Sequence, residues 1–415
     1  MNNILQLINR LGPSILWASA AIGVSHIVQS TRAGATYGYI LILTVILANF
    51  FKYPFFEFAT RYTVVKNETV LDGYRKIGKW AIYLFVALTI STMFTIQAGV
   101  TRVTAAILQN WLNLDSDFFL TSLIILSLCS FIILFVNRKY FDIFVKFLIL
   151  ILVISTLVSV CLTNQITVVP SIDFIQPEIL SSVGLTFIIA LIGWMPSPID
   201  LSAWSSIWIM EKRNHNESFS YKDNFLDFNI SYITTSLLAV LFLILGANVF
   251  YGSGEEFAPS ATTFVNQLVQ LYASLGDWSR NIILLTAFTT MFSTTITCLD
   301  AFPRVLSKSI NVIKNTSNSK EKDYKKILLF FVVVGTLITI FYIGKRMKYL
   351  VDLATILSFV TAPFLAFLNH KLIFNKDFPL EFRPNKVLKT LSLSGLLFLS
   401  IFLIFFLLNF FGLIY

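Results

Sequence analysis

The sequence predicts an all-α membrane protein of eleven transmembrane helices, arranged as two inverted five-helix repeats plus an eleventh helix. Composition is the first reason. Hydrophobic residues make up 56% of the 415 positions and charged residues 13%, with a mean hydropathy of +0.77; a soluble chain carries about 25% charged residues. The second reason is spacing, because apolar runs of the roughly 20 residues needed to cross a bilayer recur from end to end. The third is that the first and sixth runs are interrupted at corresponding positions, the sequence mark of a midplane site between two repeats.

The spans are 12–37, 39–60, 80–112, 119–136, 140–163, 183–211, 224–250, 281–302, 327–344, 349–370 and 390–413. Nothing between them is long enough for a separate soluble domain, so residues 1–415 are read as one domain. Repeat one covers about 12–163, repeat two about 183–370 and the extra helix about 390–413. With the N-terminus inside, the inward segments hold the basic clusters at 61–79, 304–326 and 371–389, while the outward segments hold only Arg280, Lys345, Arg346 and Lys348. This positive-inside asymmetry places the N-terminus in the cytoplasm, the C-terminus outside and the protein in the cytoplasmic (inner) membrane.

The net charge of +9 is therefore topology and not a nucleic-acid footprint. The partners expected are the lipid bilayer and a small ion or solute, with no obligatory protein partner. Arg10 before an Ala-containing apolar run mimics a signal peptide, but the run continues past any h-region and is kept as the first span. Cys129, Cys161 and Cys298 sit in apolar spans and are expected to be buried packing residues. Trp17, Trp80 and Trp278 are expected as interface anchors. An amphipathic stretch at 263–275 is expected to form a surface helix, and residues 315–319 a polar linker.

The two interruptions differ in kind. In the first span, Gly23-Val24-Ser25-His26 separates apolar residues 15–22 from residues 27–37. In the sixth, Gly193-Trp194-Met195-Pro196-Ser197-Pro198 separates 183–191 from 199–210. Gly23, Gly193, Pro196 and Pro198 are the helix-break residues. Each proline lacks an amide proton, and carbonyls freed inside a bilayer need another helix, water or an ion. No phosphate loop, zinc spacing or nucleophile elbow occurs, so neither an enzyme nor a resident cofactor is expected.

At the first break, Gly12-Pro13-Ser14, then Gly23-Val24-Ser25-His26, then Arg32-Ala33-Gly34-Ala35-Thr36-Tyr37-Gly38 resembles the Nramp family of proton-coupled divalent-metal transporters. Its members read Gly-Pro-Gly, Asp-Pro-Gly-Asn and Gln-Ala-Gly-Ala-x-Tyr-Gly at the same spacing. Met195-Pro196-Ser197 looks like the family's Met-Pro-His. Weaker matches are Asn137-Arg138-Lys139-Tyr140, Asp227 and Ser293-Thr294-Thr295-Ile296-Thr297. The resemblance covers nearly the whole chain and implies the LeuT-type fold.

The departures fall on the family's chemistry. The family's metal-binding Asp is Gly23 here, its Asn is His26, and its two sixth-span histidines are Ser197 and Ser202. Met195 is retained, the metal-binding carbonyl would be that of Ile192, and a tenth-span Gln aligns with Thr355. The third span has Gln97 and Arg102 but no carboxylate for proton passage.

The site expected from this comparison comprises Gly23, Ser25, His26, Ile192, Met195, Ser197, Asp200 and Thr355. An imidazole and a thioether suit transition metals. Asp200 is a costly intramembrane carboxylate that either supplies the missing charge or pairs with a neighbour. His26 and Asp200 are the candidates for proton coupling; the plainer role for His26 is a hydrogen bond to freed carbonyls. The other histidines, His215 and His370, lie at cytoplasmic ends. The expected cargo is a divalent metal ion of the manganese or iron kind, the alternative being a small solute such as an amino acid. Glu57–Arg61 and Asp300–Arg304 are expected as i,i+4 ion pairs, and Arg102 as either a partner inside the bundle or a barrier to cations.

Overall fold

A computed structural model describes residues 13–135, 138–163, 174–215, 221–258, 260–276, 278–315 and 321–413. Among these residues the structure is helical and contains no strand. The first span is α1 (Pro13–Ala21), a π-helical turn (Ser25–Ser30) and α2 (Thr31–Tyr37). It is followed by α3 (Ile42–Lys66), a short α4 (Val70–Ile77), α5 (Lys79–Trp111), α6 (Phe118–Phe135) and α7 (Arg138–Thr163). The sixth span is α8 (Ser182–Trp194) and α9 (Leu201–His215). Then come α10 (Tyr221–Phe250), α11 (Ala261–Gln270), α12 (Ser279–Lys314), α13 (Glu321–Ile343), α14 (Met347–Ile373) and α15 (Lys386–Phe410).

Each expected span therefore has its helix or broken pair of helices. Eight helical runs are long and apolar enough to cross a membrane by length and composition. Large apolar side chains such as Ile46, Phe50, Phe131, Phe341 and Ile404 stand exposed on the outside of the bundle, a surface that suits lipid and not water. The broken first span packs against α9, α10 and α12, and α8 packs against α14. The outer helices α3 and α5 close over them.

Several local expectations are corrected. Trp17 is not an interface anchor: it is buried against Phe56, Phe228 and Tyr232, because the first span is enclosed on all sides. Trp80 and Trp278 are exposed as expected. Cys161 faces outward, whereas Cys129 and Cys298 are buried. The segment 61–79 contains a helix not anticipated, α4, whose N-cap Thr69 and Asp72 bond reciprocally in a capping box. The amphipathic stretch forms α11 and a 3-10 turn at Ala273–Leu275, with Phe264, Val265 and Leu268 buried toward the bundle. Gly12, Asn137 and residues 316–319 of the linker lie outside the described residues, as do the side chains of Arg138, Lys139, Tyr140 and His215.

Candidate substrate site at the two helix breaks

The first span bends at Ile22 and Gly23 and continues as a π-helical turn. The carbonyls this frees are met by hydroxyls. Thr294 Oγ1 on α12 lies 3.0 Å from both the Ser19 and Ile22 carbonyl oxygens, and the Ser19 and Ser293 hydroxyls bond to each other. Gly23 is what admits Thr294, since a Cβ there would stand 2.8 Å from Thr294 Oγ1. Ser25 Oγ donates to the Ala21 carbonyl at 2.7 Å.

His26 is fully buried, and its two ring nitrogens are both engaged. Nε2 is 3.0 Å from the Thr235 carbonyl, which can only accept, so Nε2 carries a proton. Nδ1 lies 2.7 Å from Ser25 Oγ. The ring is thus held between its own turn and the seventh span.

At the sixth span the helix runs through Gly193 and Trp194 and breaks over residues 195–200, with a cis Met195–Pro196 peptide. This corrects the reading of Gly193 as a break residue. It lies inside α8, and glycine is needed because a Cβ would come within 2.4 Å of the Thr355 carbonyl oxygen on α14. The prolines end the helix, because neither can donate a helical hydrogen bond.

The freed carbonyls here are met by a charge. Lys52, in the middle of α3 and fully buried, places Nζ 2.6 Å from the Ile192 oxygen, 2.9 Å from that of Gly193 and 3.2 Å from that of Ser197. All three carbonyls only accept, so Nζ supplies three protons and is an ammonium. Asp200, at the start of α9, interacts with that charge, and its Oδ1 has no hydrogen-bond partner.

The remaining site residues form a third group. Met195 Sδ lies 3.5 Å from Ser30 Oγ. Gln29 Nε2 reaches Thr355 Oγ1 at 3.4 Å and Asp352 Oδ1 at 3.3 Å. The Ile192 and Ser197 carbonyls are therefore gathered around Lys52, with Asp200 within its electrostatic reach. Met195 meets the first span through Ser30, and Thr355 meets it through Gln29. Gly23, Ser25 and His26 face the eighth and seventh spans. Among the described residues no group of three or more His, Cys, Asp or Glu could hold a metal ion.

Two cavities flank this region. One, of about 20 Å³, lies between the first, third, sixth and eighth spans and is lined by Ala21, Ser25, Trp194, Pro198, Thr294 and Cys298. The other, of about 420 Å³, opens at the end of the bundle where α2 finishes and α8 begins. Arg32 crosses its wall to Asp352 at 2.6 Å and lies over the Phe187 ring at 4.9 Å. The opposite, lysine-rich end is cross-linked. Arg304 pairs with Asp300 and Glu211, Lys325 with Asp300 at 2.9 Å, and Arg213 Nη1 donates to the Val64 carbonyl at 2.7 Å. Glu57–Arg61 pairs as expected at 2.6 Å. Arg102 Nε donates to the Gly344 carbonyl at 3.0 Å, away from either break.

Sequence reasoning missed Lys52, Thr294, Thr235, Gln29 and Ser30 as neighbours of the breaks. Of these, Lys52 carried a signal as a lone charge deep in an apolar run, and Thr294 lay within the weakly matching eighth-span motif.

The family model for natural resistance-associated macrophage protein-like chains matches residues 14–409. The chain belongs to the Nramp family. An uncharacterized protein of Pasteurella multocida, PM0681, is 38% identical over 400 residues, which is 95% of this Nramp chain and 91% of that protein. A manganese transporter of Eremococcus coleocola, solved as a single-residue variant, superposes with a TM-score of 0.70 at 17% identity, over 98% of this chain and 88% of that one. Mhp1, a nucleobase-cation-symport-1 family transporter in a closed conformation with bromovinylhydantoin bound, gives 0.60 at 10% identity, over 96% and 91%. At these identities the structural likeness establishes the fold, which this Nramp chain shares with LeuT-type transporters.

Proposed function

We propose that this chain is a secondary transporter that moves a divalent metal cation of the manganese or iron(II) kind across the cytoplasmic membrane by alternating access. The observation that carries this reading is the pair of broken spans, placed as the family places them in a match over residues 14–409, with the Met195 thioether kept beside the first span. Family membership points to transport and away from catalysis. The manganese named for the Eremococcus coleocola protein makes that ion the first cargo to try.

In this reading the two repeats, about 12–163 and 183–370, meet at Gly23, Ser25, His26, Ile192, Met195, Ser197, Asp200 and Thr355. The large vestibule is the outward path, and the ion pairs of Arg304, Lys325 and Asp300 close the cytoplasmic end. The N-terminus is cytoplasmic, by the distribution of basic residues. Asp200 and His26 are the groups available for proton coupling.

One observation favours a second reading, a small non-metal solute. The Ile192 carbonyl already accepts from Lys52, and no carboxylate replaces the family's first-span Asp. Uptake of manganese into proteoliposomes under an imposed proton gradient separates the two. Saturable uptake that falls at least tenfold in Met195→Ala supports the metal. Uptake no greater than in empty liposomes removes it and leaves the solute.

A further inference from the structure

Lys52 is a cation at bilayer depth, and such a charge persists only where something compensates it. The compensation is complete on the ammonium side. Its three protons meet three carbonyl oxygens, two from the last turn of α8 and one from the non-helical link after it. These oxygens stand where a helix C-terminus presents its negative end. The Asp200 side chain, on the same link, lies within electrostatic reach of the ammonium. Three carbonyl oxygens form an all-oxygen donor set around Nζ, the chemistry that binds hard cations.

We propose that the sixth-span break is a cation site whose resident cation is the chain's own Lys52 ammonium, so that the residue at position 52 decides whether the protein responds to a small cation there. A transported metal held by Met195 reaches the Ile192 oxygen only by displacing Lys52. The inference goes beyond the transport reading and holds whatever the cargo is.

The test is thermal unfolding of the purified full-length protein in detergent, in sodium, potassium, lithium or choline chloride at one ionic strength. Choline, too large for the cradle, is the reference. Wild-type protein is expected to melt alike in all four salts. Lys52→Met is expected to melt lower in choline and to rise saturably, by roughly 3–6 °C, with one of the small cations. Sodium, potassium or lithium as the effective ion identifies the size the vacated cradle prefers. Adding Asp200→Asn to Lys52→Met is expected to abolish that rise.

A Lys52→Met protein that folds and melts alike in all four salts overturns the proposal, as does a wild-type protein with the same cation response. If Lys52→Met does not fold, the double variant decides, because it removes the unbalanced carboxylate together with the ammonium. Recovery of monodisperse protein supports the proposal, and failure to recover overturns it. Absence of manganese uptake by wild-type protein would overturn the metal reading and leave this one standing. A cation-indifferent Lys52→Met protein does the reverse.

Discussion

The two breaks solve one problem by different means. Each interrupts a helix inside the bundle and leaves carbonyls that lipid cannot satisfy. At the first break the donors are neutral hydroxyls, those of Thr294 and Ser25, and the chain stays coiled as a π-helical turn. At the sixth, two prolines leave a six-residue non-helical link, and an ammonium is brought in from α3 to hold three carbonyls. The difference is one of charge. A hydroxyl seal can be undone at the cost of neutral hydrogen bonds, whereas the ammonium is bound to three carbonyl oxygens at once. The first break is therefore the softer of the two and the sixth the more committed.

The sharpest way to break this comparison is at Lys52. Lys52→Ala strips the donor from the buried Ile192, Gly193 and Ser197 carbonyls, and leaving buried acceptors unsatisfied costs about 1–3 kcal/mol each. Denaturant unfolding in detergent should register that loss. Lys52→Arg, which keeps the charge but cannot place three protons on the same three oxygens, should fall between wild type and Lys52→Ala. A loss at Lys52→Ala no larger than that of a hydroxyl deletion at the first break would mean that charge is not what distinguishes the two.

This asymmetry also marks where the sequence could be read and where it could not. The spans, both breaks and the i,i+4 pairs Glu57–Arg61 and Asp300–Arg304 were legible, because each rests on a local pattern: run length, Pro and Gly punctuation, or helical spacing. Lys52 was visible as an intramembrane charge, but its partners are backbone carbonyls, which every residue possesses, so nothing in the sequence could name them. The azimuth of His26 was equally hidden. The π-helical turn rotates the side chains after Gly23 relative to an α-helix, and the ring faces Thr235 on the seventh span instead of the sixth-span break. Gly193 misled for a related reason. Beside two prolines it reads as a breaker, yet its purpose is the approach of the α14 backbone.

That approach gives the next prediction. Gly193→Ala sets a Cβ 2.4 Å from the Thr355 carbonyl oxygen, a backbone atom that cannot rotate away. Overpacking of this kind costs about 2 kcal/mol. At the first break, Gly23→Ala meets only the Thr294 side chain, at 2.8 Å, and a side chain can turn aside. Gly23→Ala should therefore unfold at a higher denaturant concentration than Gly193→Ala. Thr294→Val removes the hydroxyl seal itself and leaves the Ser19 and Ile22 carbonyls without it, for about 1–2 kcal/mol. Equal losses for Gly193→Ala and Gly23→Ala would remove the distinction between the rigid and the soft break.

The smallest effect is expected where the two breaks touch. Ser30 Oγ meets Met195 Sδ at 3.5 Å, and a thioether is a weak acceptor, so Ser30→Ala should cost only about 0.5 kcal/mol in unfolding. Its transport phenotype carries more information than its stability. If Met195 is a ligand for the cargo, its sulfur must leave Ser30 to bind the ion, and deleting the hydroxyl removes a competitor for the sulfur lone pairs. Ser30→Ala should then lower the KM for manganese uptake while leaving the rate at saturation nearly unchanged, since the hydroxyl opposes binding and takes no part in the movement of the spans. A lowered saturating rate with unchanged KM would instead make the Ser30–Met195 contact part of the hinge between the soft break and the committed one, and would take Met195 out of the binding site.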